Sequence, residues 1–137
     1  MIVLDAYAVI ALMVGESPAE RVRALIAAGA TGITSVNLGE CSDVLQRRFR
    51  APAKQVRSAI ATLTGGPVEV LSVGEREALF AADLRSRHYH RSDRPVSLGD
   101  CLLLAAASGR GEVATGDGAL LEMANDEGIP TVDLRVA

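Results

Sequence analysis

Met1-Ile2-Val3-Leu4-Asp5 is an unbroken apolar run that ends on a carboxylate. Four large apolar residues, two of them β-branched, suit a strand covered on both faces, as at the centre of a parallel sheet. In open α/β sheets ligands bind in the crevice beyond the carboxyl ends of the strands, so an acid closing a central strand is placed for chemistry. Asp5 is therefore the first candidate site residue, although Asp is also a frequent helix N-cap.

Outward from this stretch, strands and helices alternate. Ala6 to Val14 stays apolar and predicts a short buried helix stopped by Gly15. Ser17-Pro18-Ala19-Glu20 offers a Ser cap, a Pro at the first helical position and an acid three after the cap, predicting a helix to about Ala28. Gly32 to Ser35 predicts a second strand, with Ser35 capping a helix that carries Leu38, Cys41, Val44 and Leu45 on one face and Glu40 in its first turns. After the break at Arg50-Ala51-Pro52 come a helix over 53–64, a strand over 68–73 and a helix over 75–88. Residues 91–95 read as polar loop. Ser97-Leu98-Gly99-Asp100 then repeats the cap-plus-acid pattern before an apolar helix ending at Ser108. Glu112 to Thr115 is a fourth strand, closed by Gly116-Asp117 before a helix through Glu127, and Thr131 to Leu134 is a last short strand. This alternation predicts right-handed crossovers and a three-layer α/β/α sandwich with a mostly parallel sheet, built as one domain over residues 1–137.

Composition narrows the function. The net charge of -3 argues against a generally basic nucleic-acid binder, but not against a nuclease whose acids hold metal. Cys41 and Cys101 have no zinc-ligand spacing, which points to reduced thiols in a cytosolic protein. Asp5 interrupts the first apolar run and no basic residue precedes Arg21, so neither a signal peptide nor a membrane span is expected.

The chemistry lies in four acids. Asp5 and Asp117 follow strand ends, while Glu40 and Asp100 lie in the first turns of helices that start from the same edge of the sheet, so all four can converge on one crevice. Two carboxylates about 4 Å apart repel by roughly 4 kcal/mol at an effective dielectric near 20, so such a cluster needs a compensating cation. An oxygen-only donor set selects Mg²⁺ or Mn²⁺ over zinc. Each acid by itself could be a helix-start residue favoured by the macrodipole.

Four motifs in order, Met1-Ile2-Val3-Leu4-Asp5-Ala6, Thr34-Ser35-Val36-Asn37-Leu38-Gly39-Glu40, Ser97-Leu98-Gly99-Asp100-Cys101 and Ala114-Thr115-Gly116-Asp117, resemble the acidic motifs of PIN-domain ribonucleases. Their order and the chain length resemble in particular the VapC toxins of bacterial toxin–antitoxin pairs. The resemblance implies Mg²⁺- or Mn²⁺-dependent endonucleolytic cleavage of RNA, restraint by a small VapB-type antitoxin, and a homodimer. It assigns Asp5, Glu40, Asp100 and Asp117 to catalysis and metal binding, with Thr115 as a supporting hydroxyl. Tyr7 departs from the small polar residue usual two positions after the first acid.

RNA must also be held. Arg85, Arg87, Arg91 and Arg94, with His88 and His90 among them, form one basic group, and Arg47, Arg48, Arg50, Lys54 and Arg57 form another. Each group reads either as a phosphate contact or as a solvated helix face. The two histidines read as surface residues. Among other classes, a dehalogenase-type phosphatase would need D-x-D, but Tyr7 follows Asp5 by two, and a receiver domain would need a lysine after its last strand, but the sole lysine is Lys54. P-loop and Rossmann signatures are absent. The competing reading is a catalytically inactive PIN-like module that binds RNA or a protein partner.

Overall fold

Val3 and Leu4 are both fully buried, and they point into different cores. That alternation, the period of two inherent to a strand, sets up the architecture seen in the computed structural model, which describes residues 1–135. The elements are β1 (Ile2–Leu4), α1 (Ala6–Val14), α2 (Ala19–Ala28), β2 (Thr31–Thr34), α3 (Ser35–Arg47), α4 (Ala53–Thr64), β3 (Val68–Leu71), α5 (Glu75–His88), α6 (Leu98–Ala107), β4 (Glu112–Thr115), α7 (Gly118–Asp126) and β5 (Thr131–Asp133). The five strands form one sheet in the order β3-β2-β1-β4-β5, and every pairing is parallel.

One core packs Val3 and Val113 against Leu84 of α5, Leu103 and Leu104 of α6 and Leu120 and Met123 of α7. On the opposite face Leu4, Ile33 and Ala114 meet Ala8 and Val9 of α1, Val22 of α2 and Cys41 of α3. The result is the expected three-layer α/β/α sandwich. β1 lies at its centre, between β2 and β4, where the order of strand connection reverses. The crevice at such a switch point opens beyond the carboxyl ends of β1 and β4.

Several boundaries differ from the sequence reading, each for a local reason. Thr34, not Ser35, caps α3: its backbone is still extended and its Oγ1 accepts from Asn37 N at 3.0 Å. Ser17 does not cap α2. A turn closed by Ala19 N donating to Glu16 O at 2.7 Å takes up residues 16–19, and the helix starts at Ala19 with Pro18 in the cap position. β3 stops at Leu71 because its partner β2 ends opposite, at Thr34. β5 likewise stops at Asp133, opposite Thr115. The 91–95 loop is pinned at its base by an antiparallel bridge between His90 and Arg94. Among the described residues no helix is long and apolar enough to cross a membrane.

Candidate functional site

Three of the four acids, Asp5, Asp100 and Asp117, are held by the way their own segments begin a helix. Asp5 caps α1, its Oδ1 accepting from Ala8 N at 2.7 Å, while its Oδ2 accepts from the Thr115 hydroxyl at 2.6 Å. Thr115 Oγ1 in turn accepts from Asp117 N at 3.1 Å, so one buried hydroxyl ties the end of β1 to the turn after β4. Asp117 caps α7 by accepting from Ala119 N and Leu120 N at 2.9 and 3.4 Å. Asp100 stands third in α6 in a reciprocal box with Ser97, whose Oγ accepts from Asp100 N at 3.0 Å while Ser97 N donates to Asp100 Oδ2 at 3.1 Å.

Glu40 lies further along its helix than a cap and needs another support. Buried Asn37 supplies it. The Asn37 side chain accepts from the Thr34 hydroxyl at 2.8 Å and donates through Nδ2 to Glu40 Oε1 at 3.1 Å. On the other side, a methyl group at Gly99 would meet the Glu40 carboxylate, so the bare Cα there leaves Glu40 the room it occupies against α6. Asn37 appears in the sequence only as part of a motif. The signal for its role is its position three residues after Thr34 and three before Glu40, the spacing at which side chains meet on a helix.

Asp5, Glu40, Asp100 and Asp117 line a single cavity of about 620 Å³, together with Tyr7, Asn37, Gly116 and Arg135 among others. Their fields overlap. Burial pushes the Asp5 carboxyl up to about 6, against the hydrogen bonds from Thr115 and Ala8, and the charges of Asp100 and Asp117 add to the rise. Burial also raises Asp100, with Asp117 contributing, and raises Glu40, with Asp100 contributing. No described buried side-chain polar atom lacks a hydrogen-bond partner, so Asp5 is a satisfied group whose charge is held at a cost, chiefly of burial and secondarily of repulsion from Asp100 and Asp117.

The donor chemistry fits a hard divalent cation: four carboxylates, no thiol or imidazole on the cavity wall, and mutual repulsion that a cation would relieve. With the side chains as placed, no three carboxylate, thiol or imidazole groups among the described residues stand close enough to share one ion. The two cysteines take no part, since burial pushes the Cys41 thiol up to about 12 and the Cys101 thiol up to about 11.

The arginines of the 85–94 group do not line the acid cavity. Arg85 donates to Val96 O at 3.1 Å and lies over the Tyr89 ring, 4.4 Å from its centre. Arg87 pairs with Glu127 at 2.9 Å, and Arg94 pairs with Asp126 at 2.9 Å. Arg91 is exposed on the turn and makes none of these contacts. His88 corrects the surface reading, because its side chain is only 11% exposed, with Nε2 2.6 Å from Glu127 and Nδ1 2.7 Å from Arg94. Arg87, His88 and Arg94 brace the end of α5 and its following loop against the end of α7.

Comparison with known proteins gives a consistent picture. The family model of the PIN domain matches residues 2–126. No curated protein matches the chain in sequence. Among solved structures, the VapC20 toxin of Mycobacterium tuberculosis, described as cleaving the sarcin-ricin loop, superposes with a TM-score of 0.73 at 23% identity, covering 89% of this chain and 94% of its own. FitAcB of Neisseria gonorrhoeae gives 0.68 at 20% identity, covering 100% of both chains. The DNA-bound VapBC of Salmonella typhimurium gives 0.68 at 20% identity over 97% of each chain.

Proposed function

Because the chain belongs to the PIN-domain family, we propose that it is a divalent-metal-dependent endoribonuclease, the toxin of a toxin–antitoxin pair restrained by a small VapB-type antitoxin. The observation that carries this reading is the lining of one cavity by Asp5, Glu40, Asp100 and Asp117 at the switch point of the sheet. The neighbours in fold that include a toxin–antitoxin complex from Klebsiella pneumoniae support the partner class.

When bound, Mg²⁺ or Mn²⁺ would supply positive charge to the phosphodiester oxygens and acidify a water for in-line attack. Asp5, Asp100, Glu40 and Asp117 would hold it. Thr115 keeps the Asp5 carboxylate in place through its hydroxyl, so the acid most deeply buried cannot rotate away. Asn37 does the same for Glu40. Asp5 holds a proton below about pH 6 and gives it up at neutral pH, where its charge is available to a cation. No nucleophilic side chain is required, and the inert thiols fit that.

The test is cleavage of RNA by the purified chain in Mg²⁺ and in chelator, beside Asp5→Asn. Cleavage that needs the divalent ion and disappears in a folded Asp5→Asn is expected. Divalent-independent cleavage, or cleavage retained at wild-type rate in Asp5→Asn, would refute the assignment. One observation favours the second reading, a metal-free module that only binds: the carboxylates are not drawn into a common coordination sphere. RNA binding without any divalent-dependent cleavage would establish it.

A further inference from the structure

A cavity walled by four carboxylates repels the phosphates of the strand it is to cut; Arg87 and Arg94 are occupied in bracing the end of α7, and Arg85 and Arg91 do not line the cavity either. Among the described residues, one basic side chain lines the acid cavity: Arg135. Its stem crosses the turn that carries Asp117. A methyl group at Gly116 would lie 3.8 Å from Arg135 Cγ, and one at Gly118 would lie 3.3 Å from Nη1. The guanidinium is fixed from behind by Asp133, to which Nε donates at 3.0 Å and Nη2 at 2.8 Å, and the same carboxylate accepts from Arg135 N at 2.9 Å. Nη1 is outside that fork and faces the turn. Arg135 therefore presents an oriented guanidinium at the rim without quenching the acids.

A second groove of about 560 Å³ shares Ser17, Pro18, Leu134 and Arg135 with the acid cavity, so the two run into one another. It adds Arg21 and Arg23, with Glu16 and Glu20 also on its wall. Arg23 pairs with Glu20 on its own helix. Arg21 stands on the groove wall, and Asp133, whose carboxyl is held down to about 2 chiefly by its hydrogen bonds from Arg135, also feels the charge of Arg21. Arg135 belongs to both hollows, so its guanidinium stands where the carboxylate wall gives way to a groove of mixed charge. A planar fork held on a carboxylate is suited to phosphate oxygens.

We propose that Arg135, where the acid cavity meets the adjoining groove, and Arg21 on the wall of that groove form a phosphate-binding subsite that holds the single-stranded RNA backbone on one side of the cleaved bond. This rests on the ribonuclease reading, and the strand then runs from the acids over Pro18 and Leu134 into the groove.

The test is binding of a fluorescein-labelled single-stranded oligoribonucleotide to the full chain in chelator, by anisotropy over a range of salt. Arg135→Ala and Arg21→Ala should each weaken binding about fivefold or more at low salt and reduce the slope of log affinity against log salt by about 0.7, the value for one phosphate on a single strand. Arg135→Lys should recover part of the affinity, and Arg76→Ala on α5 should change nothing. Melting curves establish that each variant folds, and Arg135→Gln and Arg21→Gln repeat the measurement if an alanine variant melts early. Wild-type affinity and slope in both arginine variants overturns the subsite, as does a wild-type chain that does not bind the oligoribonucleotide. Arginine variants that keep RNA binding but escape inhibition by a small antitoxin would assign the groove to a protein partner and overturn it too. Arginine-dependent binding without divalent-dependent cleavage would leave the subsite standing and remove the ribonuclease reading, whereas cleavage with arginine-independent binding would do the reverse.

Discussion

Asn37 carries no charge, yet it decides where one of the four negative charges sits. Its side chain is buried between the Thr34 hydroxyl and Glu40, and both of its polar ends are used. Removing it leaves the Thr34 hydroxyl without its acceptor and lets Glu40 swing to solvent, losing a support of the kind whose loss typically lowers metal affinity or activity by about 10–100-fold. Asn37→Ala should therefore lower divalent affinity, read by calorimetric titration, and RNA cleavage by a factor in that range. Stability should fall by about 1–2 kcal/mol for the lost buried hydrogen bonds. A variant that binds Mg²⁺ as tightly as wild type would show that Glu40 needs no such support. Thr115 is held to the same standard at the other end of the cavity: Thr115→Val keeps the shape but removes the donor to Asp5 Oδ2 and the acceptor of Asp117 N. It should cost activity more than Asn37→Ala does, since Thr115 touches two of the acid-bearing segments and Asn37 one.

At the scale of elements, α6 meets α3 where Gly99 faces Glu40. Glycine inside a helix costs about 1 kcal/mol relative to alanine, so Gly99→Ala would ordinarily stabilise. Here the added methyl meets the Glu40 carboxylate, the far end of a flexible side chain that can move aside. Gly99→Ala should then melt at or above wild type in chelator while binding divalent ion more weakly, opposite movements that a merely structural glycine would not produce. Weaker melting with unchanged metal affinity would mean that the helices, not Glu40, give way. This contact also marks where sequence legibility stops. The Ser97 cap and the acid at Asp100 are readable because capping is local and its spacing fixed. β1 is readable because an unbroken apolar run has few other uses. That Gly99 faces Glu40, about sixty positions away, depends on the sheet order that sets α6 beside α3, and no local pattern encodes it. The same holds for Arg94 with Asp126 and Arg87 with Glu127, which turn two members of a group that reads as phosphate contact or solvated helix face into a brace. Ser17 and Ser35 show the opposite error, in which a correct local signal loses to a neighbour: a turn takes the first and Thr34 the second.

For the whole molecule, the acid cavity should leave its mark on stability as a function of pH. Asp5 has an ordinary value of 3.8 and is raised by burial to about 6 in the folded chain. Between these values the folded chain keeps a proton that the unfolded chain releases, so stability falls as pH rises through that window and levels off above it. The displacement corresponds to about 3 kcal/mol withheld from folding at neutral pH. Asp5→Asn removes this penalty. Its amide oxygen can still accept from Ala8 N, and the Thr115 hydroxyl can turn to accept from the amide nitrogen, although neutral hydrogen bonds are weaker than those to a carboxylate. The variant should thus be more stable than wild type in chelator at pH 7.5 by on the order of 1 kcal/mol. Toward pH 5 the gap should close, because wild-type Asp5 is then protonated. On the proposed reading the site takes Mg²⁺ in the folded state alone, and the ion should reverse the order at neutral pH, adding about 2.7 kcal/mol to wild type at a hundredfold excess over Kd and little to the variant. Asp100→Asn should follow the same signs, since burial and Asp117 raise Asp100 as well. Thermal melts of the three proteins in chelator and in Mg²⁺, at pH 7.5 and pH 5, decide the matter. If Asp5→Asn melts below wild type in chelator at both pH values and Mg²⁺ shifts the two equally, Asp5 is a helix cap and no more, and the acids are neighbours without a shared purpose.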